Sequence, residues 1–332
     1  MNDICFINRR VNPSVYYGPD QSANHAASSG IPQLTDGFTR PLLSFRFIRR
    51  GITSIRFGIS LALILLLSLI SHAQQNIRVM SFNIRFDNPA DSINSWDNRK
   101  SLAVETLKTE SPDIIGMQEV LQSQLVYLSD HMDGYDHVGV GRVDGKSSGE
   151  YVSVFYKTAR FKVMEWGTFW LSATPGDTGS VGWDAALPRI CTWVKFEDVV
   201  DQNLIFFLNT HFDHMGQVAR KESAMLILDF IAERAAGLPV IVTGDFNCTP
   251  DQEPYRILTN SGNGLLDACF LSPDGECNAG TFNGFGPAAN ERIDLILLKG
   301  HWKVESSQIL KIREKEMYIS DHYPVTCVIK NQ

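Results

Sequence analysis

The sequence has few cysteines, six in 332 residues, and they form no metal-binding pattern. Five of them follow residue 74, and none of these pairs with another at the close spacing that zinc sites use. This excludes the cysteine-rich zinc modules. Cys269 and Cys277 flank a loop, and two interpretations stay open: a disulfide formed in an oxidising compartment, or two free thiols.

Positive charge is also scarce in the part of the chain expected to fold. Residues 74–332 carry 34 Asp and Glu against 23 Lys and Arg, a net charge of −11. Proteins that grip long nucleic acids usually present a basic surface. The acidic balance therefore disfavours nucleic acid as a partner, although a local basic patch would be compatible with it. The length suits one large domain, which we expect to be monomeric.

A long apolar run occurs at residues 57–71, which contain no charged residue. Arginines precede this run, and Ser71 and Ala73 are small residues at the two positions that a signal peptidase recognises. The pattern predicts a signal segment over 57–73 cleaved near Ala73, a periplasmic or secreted protein, and no stable membrane span after cleavage. The alternative is an uncleaved N-terminal anchor. Residues 1–56 are expected to be a disordered or wrongly assigned leader.

From residue 74 the pattern is that of an α/β protein without internal repeats. Strands are predicted at 77–83 and 113–120, each followed by a helix, then four strands between 151 and 209 without helices. A helix is predicted over 217–236 and ends at Gly237, before a buried strand over 240–243. Residues 262–290 are predicted to be a loop, followed by strands over 291–298 and 325–329.

Polar residues stand where these strands end, and they are the candidate site. Strand ends can converge on one rim of a sheet sandwich, and carboxylates with amides, without clustered cysteine, suit Mg²⁺ or Mn²⁺. Histidine and asparagine supply donors for phosphate oxygens, so the set is suited to metal-assisted phosphoryl transfer to water. The members are Asn83, Glu119, His211, Asp245, Asn247, Asp294, Asp321 and His322.

Each residue also has a purely structural interpretation. Asp245 and Asn247 are common turn residues, Glu119 is able to cap the helix that follows it, and Asp321 can belong to a turn before a proline. Asp294 is harder to explain in this way, because a lone carboxylate in an apolar strand is costly to bury. It needs a partner, and a histidine is the natural one.

Six motifs make this sequence resemble the endonuclease/exonuclease/phosphatase superfamily over about residues 76–330. The resemblance implies a two-sheet α/β sandwich of mixed strands flanked by helices, in four α/β/β/α layers, and a hydrolase of phosphate esters. The motifs are Ser81-Phe82-Asn83, Gln118-Glu119, Asn209-Thr210-His211, Gly244-Asp245-Phe246-Asn247, Arg292-Ile293-Asp294 and Ser320-Asp321-His322.

The resemblance also implies roles for the metal-side residues. Glu119, helped by Asn83, would hold the metal, and Asp321 would be a carboxylate on the same side. The cofactor expected is Mg²⁺ or Mn²⁺, and the number of ions, one or two, is left open.

The remaining implied roles concern the phosphate and the water. Asp245 would position or deprotonate the attacking water, or protonate the leaving oxygen. Asn247 and His211 would bind phosphate oxygens. His322 would contact the scissile phosphate, with its ring oriented by Asp294.

Two features move the sequence away from the DNA-repair branch of that superfamily. Arg85 stands where apurinic endonucleases place an acidic residue, and His211 is often a tyrosine in those enzymes. A weaker set is predicted to line the cleft, with core packing or surface ion pairs as the alternative for each residue. This weaker set consists of Glu150, Trp183, Arg189, Arg220 and Phe282.

The sequence thus predicts a secreted Mg²⁺-dependent hydrolase of phosphodiester or phosphomonoester bonds. A small or lipid-linked phosphate ester is the expected partner. A secreted nuclease is the alternative, and a phosphate-binding protein without catalysis is a third hypothesis.

Overall fold

The computed structural model describes residues 75–260, 262, 264–287 and 290–332. The predicted leader (1–56) and signal segment (57–73) lie outside the described residues. Within the part of the chain that the structure describes, no helix combines the length and the apolar character needed to cross a bilayer.

The first sheet has six strands, and its centre holds a parallel pair. β1 and β2 run parallel with Asn83 opposite Gln118, so these two strands end at the same edge. The sheet order is β11-β14-β1-β2-β4-β3. The strands are β1 (Ile77–Asn83), β2 (Ile114–Gln118), β3 (Tyr135–Val138), β4 (Val154–Lys157), β11 (Trp302–Ile309) and β14 (Val325–Asn331).

The second sheet also has six strands and repeats this arrangement. β7 and β8 run parallel with His211 opposite Asp245, while the other neighbours are antiparallel. The sheet order is β5-β6-β7-β8-β10-β9. The strands are β5 (Phe161–Trp170), β6 (Ile190–Asp198), β7 (Asn203–His211), β8 (Val240–Asp245), β9 (Leu266–Asp267) and β10 (Asp294–Lys299).

The two sheets pack face to face, and helices cover their outer faces. Strand alternation sorts the side chains of β1: Val79 lies in the cluster between the sheets, and Met80 in the cluster beneath the helices. Five helices are described: α1 (Trp96–Glu110), α2 (Gln122–His131), α3 (Gln217–Arg234), α4 (Glu253–Thr259) and α5 (Ala268–Leu271). A 3₁₀ helix, Pro89–Asn94, precedes α1, and β12 (Arg313–Glu314) and β13 (Met317–Tyr318) form a small hairpin.

Helices α1 and α2 pack on the first sheet through Leu107 and Leu128, and α3 packs on the second through Ile227. The predicted fold class, a two-sheet mixed sandwich flanked by helices, is confirmed. The prediction that residues 262–290 form only a loop was wrong, because β9 and α5 lie within them.

Asp294 was predicted to lie inside a strand, and this was wrong. Strand β10 begins at Asp294. The backbone N–H groups of Ile293 and Asp294 both donate to the hydroxyl of Thr281 at 3.1 Å. The ladder with β8 therefore starts at the pair Asp294 and Asp245, which puts both carboxylates at the rim of the sheet.

A buried polar network joins the sheets directly below this rim. Gln118 Nε2 donates to Asn209 Oδ1 at 2.7 Å, and Asn209 Nδ2 donates to the carbonyl oxygen of Met117 at 2.8 Å. The close approach requires Gly116, because a Cβ there would lie 2.0 Å from Thr243 Oγ1. The network fixes the height of one sheet edge against the other.

Candidate active site

The two sheets bring their parallel strand pairs to one rim, and the predicted site residues meet there. Asn83 ends β1, and its side-chain amide donates to Glu119 Oε1 at 3.1 Å and to Asp245 Oδ2 at 3.0 Å. Asn83 and Asp245 are 162 positions apart in the chain and belong to different sheets. One amide thus holds two carboxylates from opposite layers side by side.

Two of the site residues have a left-handed backbone, which is unusual for a residue other than glycine. Glu119 has φ 62° directly after β2, and Asn247 has φ 47° two residues after β8. Local bonds hold these conformations: Phe86 N donates to Glu119 Oε2 at 3.1 Å, and Asn247 N donates to Asp245 Oδ1 at 2.9 Å. Such strain persists only where the surroundings enforce it, and it is concentrated at functional sites.

His322 and Asp294 form a buried pair. His322 Nδ1 lies 2.8 Å from Asp294 Oδ2, and its Nε2 lies 3.7 Å from Asp245 Oδ2. Burial by itself lowers the pKa of His322, but the carboxylates of Asp294 and Asp245 outweigh it and raise this pKa well above its ordinary value. The ring is therefore held as an imidazolium that points one N–H toward the cleft.

His211 has the opposite electrostatic environment. Its Nε2 lies 3.4 Å from Asp245 Oδ2, at the end of β7. Burial lowers the pKa of His211 well below its usual value, and the positive charges of Arg189 and Arg142 lower it further. The site thus contains one neutral and one cationic histidine on either side of the same carboxylate.

Asp245 lies at the centre of the site. Burial raises the pKa of Asp245 to about 7; the cationic His322 opposes this rise, and the charge of Asp294 adds to it. A carboxyl group that titrates near neutrality is suited to accept and return a proton.

The donor set fits a hard divalent cation. Glu119, His211 and Asp245 each offer one ligand atom, and these atoms lie within 4.8 Å of one another. Asp321 is buried and lines the same cleft, and its Oδ2 is 3.6 Å from Arg85 Nη1. Carboxylate oxygens dominate, as Mg²⁺ and Mn²⁺ prefer.

The site lies in an open cleft with a volume of about 420 Å³. Six of the eight strand-end residues line this cleft. The other two, Asn83 and Asp294, lie behind it and bond to lining residues. Of the weaker predicted set, Glu150, Arg189 and Phe282 line the cleft, whereas Trp183 and Arg220 do not. Arg220 lines a separate cavity and donates to the carbonyl oxygen of Asp213 at 2.8 Å.

The sequence did not identify Arg142, which lines the cleft with only 8 % of its surface exposed. Its guanidinium makes a bidentate pair with Glu150, with N–O distances of 2.7 and 2.8 Å. Arg189 pairs with Asp213 at 3.2 Å and lies 2.9 Å from His214 Nδ1. The available signal was the eight-residue spacing of Arg142 and Glu150 in one loop, and such spacing is common on protein surfaces.

The chain belongs to the Endonuclease/Exonuclease/phosphatase family, whose model matches residues 80–322. Members of this family are hydrolases that act on phosphoester bonds, and they generally depend on divalent metal ions. The family thus accounts for both the sandwich and the carboxylate-rich cleft.

Three similar proteins show the range of the family. The endonuclease/exonuclease/phosphatase of Bacteroides vulgatus is 37% identical, with a TM-score of 0.74, over 78% of this chain and 100% of that structure. A mannosyl-6-phosphatase of Bacteroides thetaiotaomicron is 35% identical, with a TM-score of 0.71, over 76% and 99% of the two chains. A probable RNA exonuclease of Saccharomyces cerevisiae is 27% identical over 49% of this chain and 34% of its own length.

Proposed function

We propose that the protein is a secreted, Mg²⁺-dependent phosphomonoesterase whose substrates are sugar phosphates. One observation carries this proposal: Arg142, Arg189 and the cationic His322 line the same cleft as the Asp245 carboxylate. A terminal phosphate monoester carries up to two negative charges, and these cationic side chains, together with a bound divalent cation, would offset them. The 35% identical mannosyl-6-phosphatase supports the same class of substrate.

The metal site in this proposal consists of Glu119 and Asp321, organised by Asn83. A divalent cation bound there would offset phosphate charge and promote the ionisation of water. Glu119 is already held for this task by Asn83 Nδ2 and by Phe86 N, so binding needs little rearrangement of its side chain.

The protein groups divide the remaining work. The Asp245 carboxylate accepts a proton from the attacking water while the bond from water oxygen to phosphorus forms. His322 Nε2–H faces the phosphate and stabilises its developing charge, while Asp294 fixes the ring. The bond from phosphorus to the sugar oxygen then breaks, and that oxygen takes up a proton from solvent as the alcohol leaves. Asp245 returns the proton of the attacking water to solvent, so its carboxylate is restored.

Asn247 orients the phosphate from the rim. Its Nδ2 donates to the carbonyl oxygen of Phe212 at 3.0 Å, which fixes the amide plane beside Asp245. His211, neutral and 3.4 Å from Asp245, is placed to bind either a phosphate oxygen or the metal.

A substrate panel tests the proposal with the purified protein. Mannose 6-phosphate, a bis-nitrophenyl phosphodiester, single-stranded RNA and single-stranded DNA are each incubated with Mg²⁺ and with excess chelator. We expect release of phosphate from the monoester, dependent on Mg²⁺ and abolished in Asp245→Ala. Faster cleavage of RNA or DNA than of the monoester would overturn the proposal in favour of a nuclease.

Export is a separate part of the proposal and rests on the uncharged run 57–71 with its preceding arginines. N-terminal sequencing of the protein recovered from its producing cell tests it. We expect a mature chain that begins near Gln74, and a chain that begins well before residue 57 would overturn it.

A further inference from the structure

A second cavity, separate from the catalytic cleft, opens beside the edge strand β5. It has a volume of about 210 Å³, many times the roughly 10–15 Å³ that one water needs. Trp166, Thr168 and Trp170 alternate along β5 and line one side, and the loop residues Asp144, Gly145 and Lys146 line the other. We call it the tryptophan cavity.

The indole rings give this cavity an apolar surface. Trp166 is half-buried, and Trp170 is buried with its Nε1 donating to the carbonyl oxygen of Arg142 at 2.7 Å. Trp170 therefore offers only ring carbons to the cavity. Gly145 has φ +65°, and a Cβ on it would lie 3.3 Å from the Trp170 ring, so glycine keeps this surface open.

The rim of the cavity is polar and has no net charge. Asp144 Oδ1 accepts bonds from Lys146 N at 2.8 Å and Ser148 N at 2.9 Å, which leaves Oδ2 available. Among the described residues the Lys146 ammonium has no ion-pair partner. The mouth of this aromatic cavity therefore carries one hydrogen-bond acceptor, Asp144 Oδ2, and one donor, the Lys146 ammonium.

We propose that the tryptophan cavity binds a neutral sugar ring. A pyranose has an apolar C–H face that packs on indole, and hydroxyl groups that both donate and accept at its edge. The opposed charges of Asp144 and Lys146 favour neither anions nor cations. A wholly apolar ligand would take both charged groups out of water without compensation.

The tryptophan cavity is connected to the catalytic cleft by one loop. Arg142 and Glu150 line the cleft, and Asp144 and Lys146, between them in sequence, line the cavity. Trp170, which lines the tryptophan cavity, donates to the carbonyl oxygen of Arg142, which lines the cleft, so this hydrogen bond connects the two sites. A phosphorylated glycan is the substrate class that would use both, a step that rests on the proposed phosphomonoesterase function.

Calorimetric titration of the intact protein with mannobiose, with cellobiose and with adenosine tests the binding. We expect a disaccharide to bind and Trp166→Ala to weaken it at least about tenfold, a loss of about 1.4 kcal/mol. Trp166→Phe, which keeps a ring, should lose less, and Asp144→Asn, which leaves the core untouched, should also weaken binding. Met164→Ala, on the same strand but outside the cavity, is the matched control.

Two results would overturn the inference: no heat from either disaccharide, or equal loss of affinity in Trp166→Ala and Met164→Ala. Tighter binding of adenosine than of both sugars would overturn it in favour of a nucleobase site. Circular dichroism of each variant shows that it is folded. Because binding needs no catalysis, a protein that binds sugar but releases no phosphate would refute the proposed function and leave this inference intact.

Discussion

His322 Nδ1 lies 2.8 Å from Asp294 Oδ2, and both side chains are almost completely buried. The carboxylate fixes the ring so that its other nitrogen faces Asp245 and the cleft. A buried ion pair of this kind gives little stability by itself, because both charges lose hydration. Its value lies in holding a charged donor where phosphate charge develops.

The first prediction concerns this pair. His322→Ala removes the charged donor and should lower kcat/KM about a hundredfold or more. Asp294→Asn keeps the shape but orients the ring poorly, and it should lower kcat more than it raises KM. The double variant should lose much less than the two separate losses combined, because the residues act as one unit.

A double-mutant cycle of kcat/KM values measures this coupling. If the losses in log kcat/KM of the two single variants add up to the loss of the double variant, His322 and Asp294 act independently. As a control for folding, the unfolding curve of each variant should match that of the wild type.

The second prediction concerns the metal. Activity should disappear in excess chelator and return with Mg²⁺ or Mn²⁺, because oxygen donors dominate the site. Glu119→Gln should weaken Mg²⁺ binding, measured by calorimetry, while its unfolding curve stays close to wild type. Glu105→Gln, on the exposed face of α1, is the matched control. Full activity with excess chelator would contradict a metal-dependent reaction.

The third prediction concerns Arg99, which has no exposed surface. Its guanidinium donates to the carbonyl oxygens of Asn94, Ile84 and Ile319, at 2.8, 2.5 and 3.1 Å, and so joins the end of β1 to the segment before Asp321. Arg99→Met leaves these carbonyls unpaired in the interior, and it should lower the free energy of unfolding by at least about 3 kcal/mol.

Urea unfolding measures this loss. Arg78→Met is the matched control, because Arg78 forms a half-exposed pair with Glu110 at 3.0 Å and should cost less than about 1 kcal/mol. Equal losses in the two variants would show that the buried hydrogen bonds of Arg99 add no more to the free energy of unfolding than an exposed ion pair does.

The fourth prediction concerns acid stability. Burial alone would raise the pKa of Asp213, but the backbone N–H groups of Gly216 and Met215 and the charge of Arg189 outweigh it and lower this pKa from 3.8 to about 2. A carboxyl with a depressed folded-state pKa stabilises the fold above its unfolded pKa. That contribution is lost as the pH falls from 3.8 toward 2.

Asp213→Asn should therefore lower the free energy of unfolding at pH 7 by about 2 kcal/mol. Below pH 4 the difference from wild type should shrink, by at most about 1.4 kcal/mol for each unit of pH. Urea unfolding across this pH range measures it. Asp97→Asn, whose side chain is exposed, is the control. A difference that stays constant down to pH 2 would contradict the mechanism.

Much of the site followed from the sequence because of local patterns. Apolar strands that end in Asn83, His211 and Asp245 place those residues at a sheet edge wherever parallel strands pair. A buried Asp294 needs a partner, which predicted its pairing with a histidine, and His322 is that partner. The second interpretation of Cys269 and Cys277, as free thiols, is removed, since the structure joins them in a disulfide.

Only the tertiary structure decided which loop residues reach the cleft. Arg142, which was not predicted, lies there because its loop is held by Trp170 of the other sheet, whereas Trp183, which was predicted to line the cleft, does not line it. The strands that carry the site are buried along almost their whole length, and the sequence records this as short apolar runs that stop at a polar residue. Loop positions depend on contacts between distant segments, such as Asn209 with Met117, and no local pattern encodes these contacts.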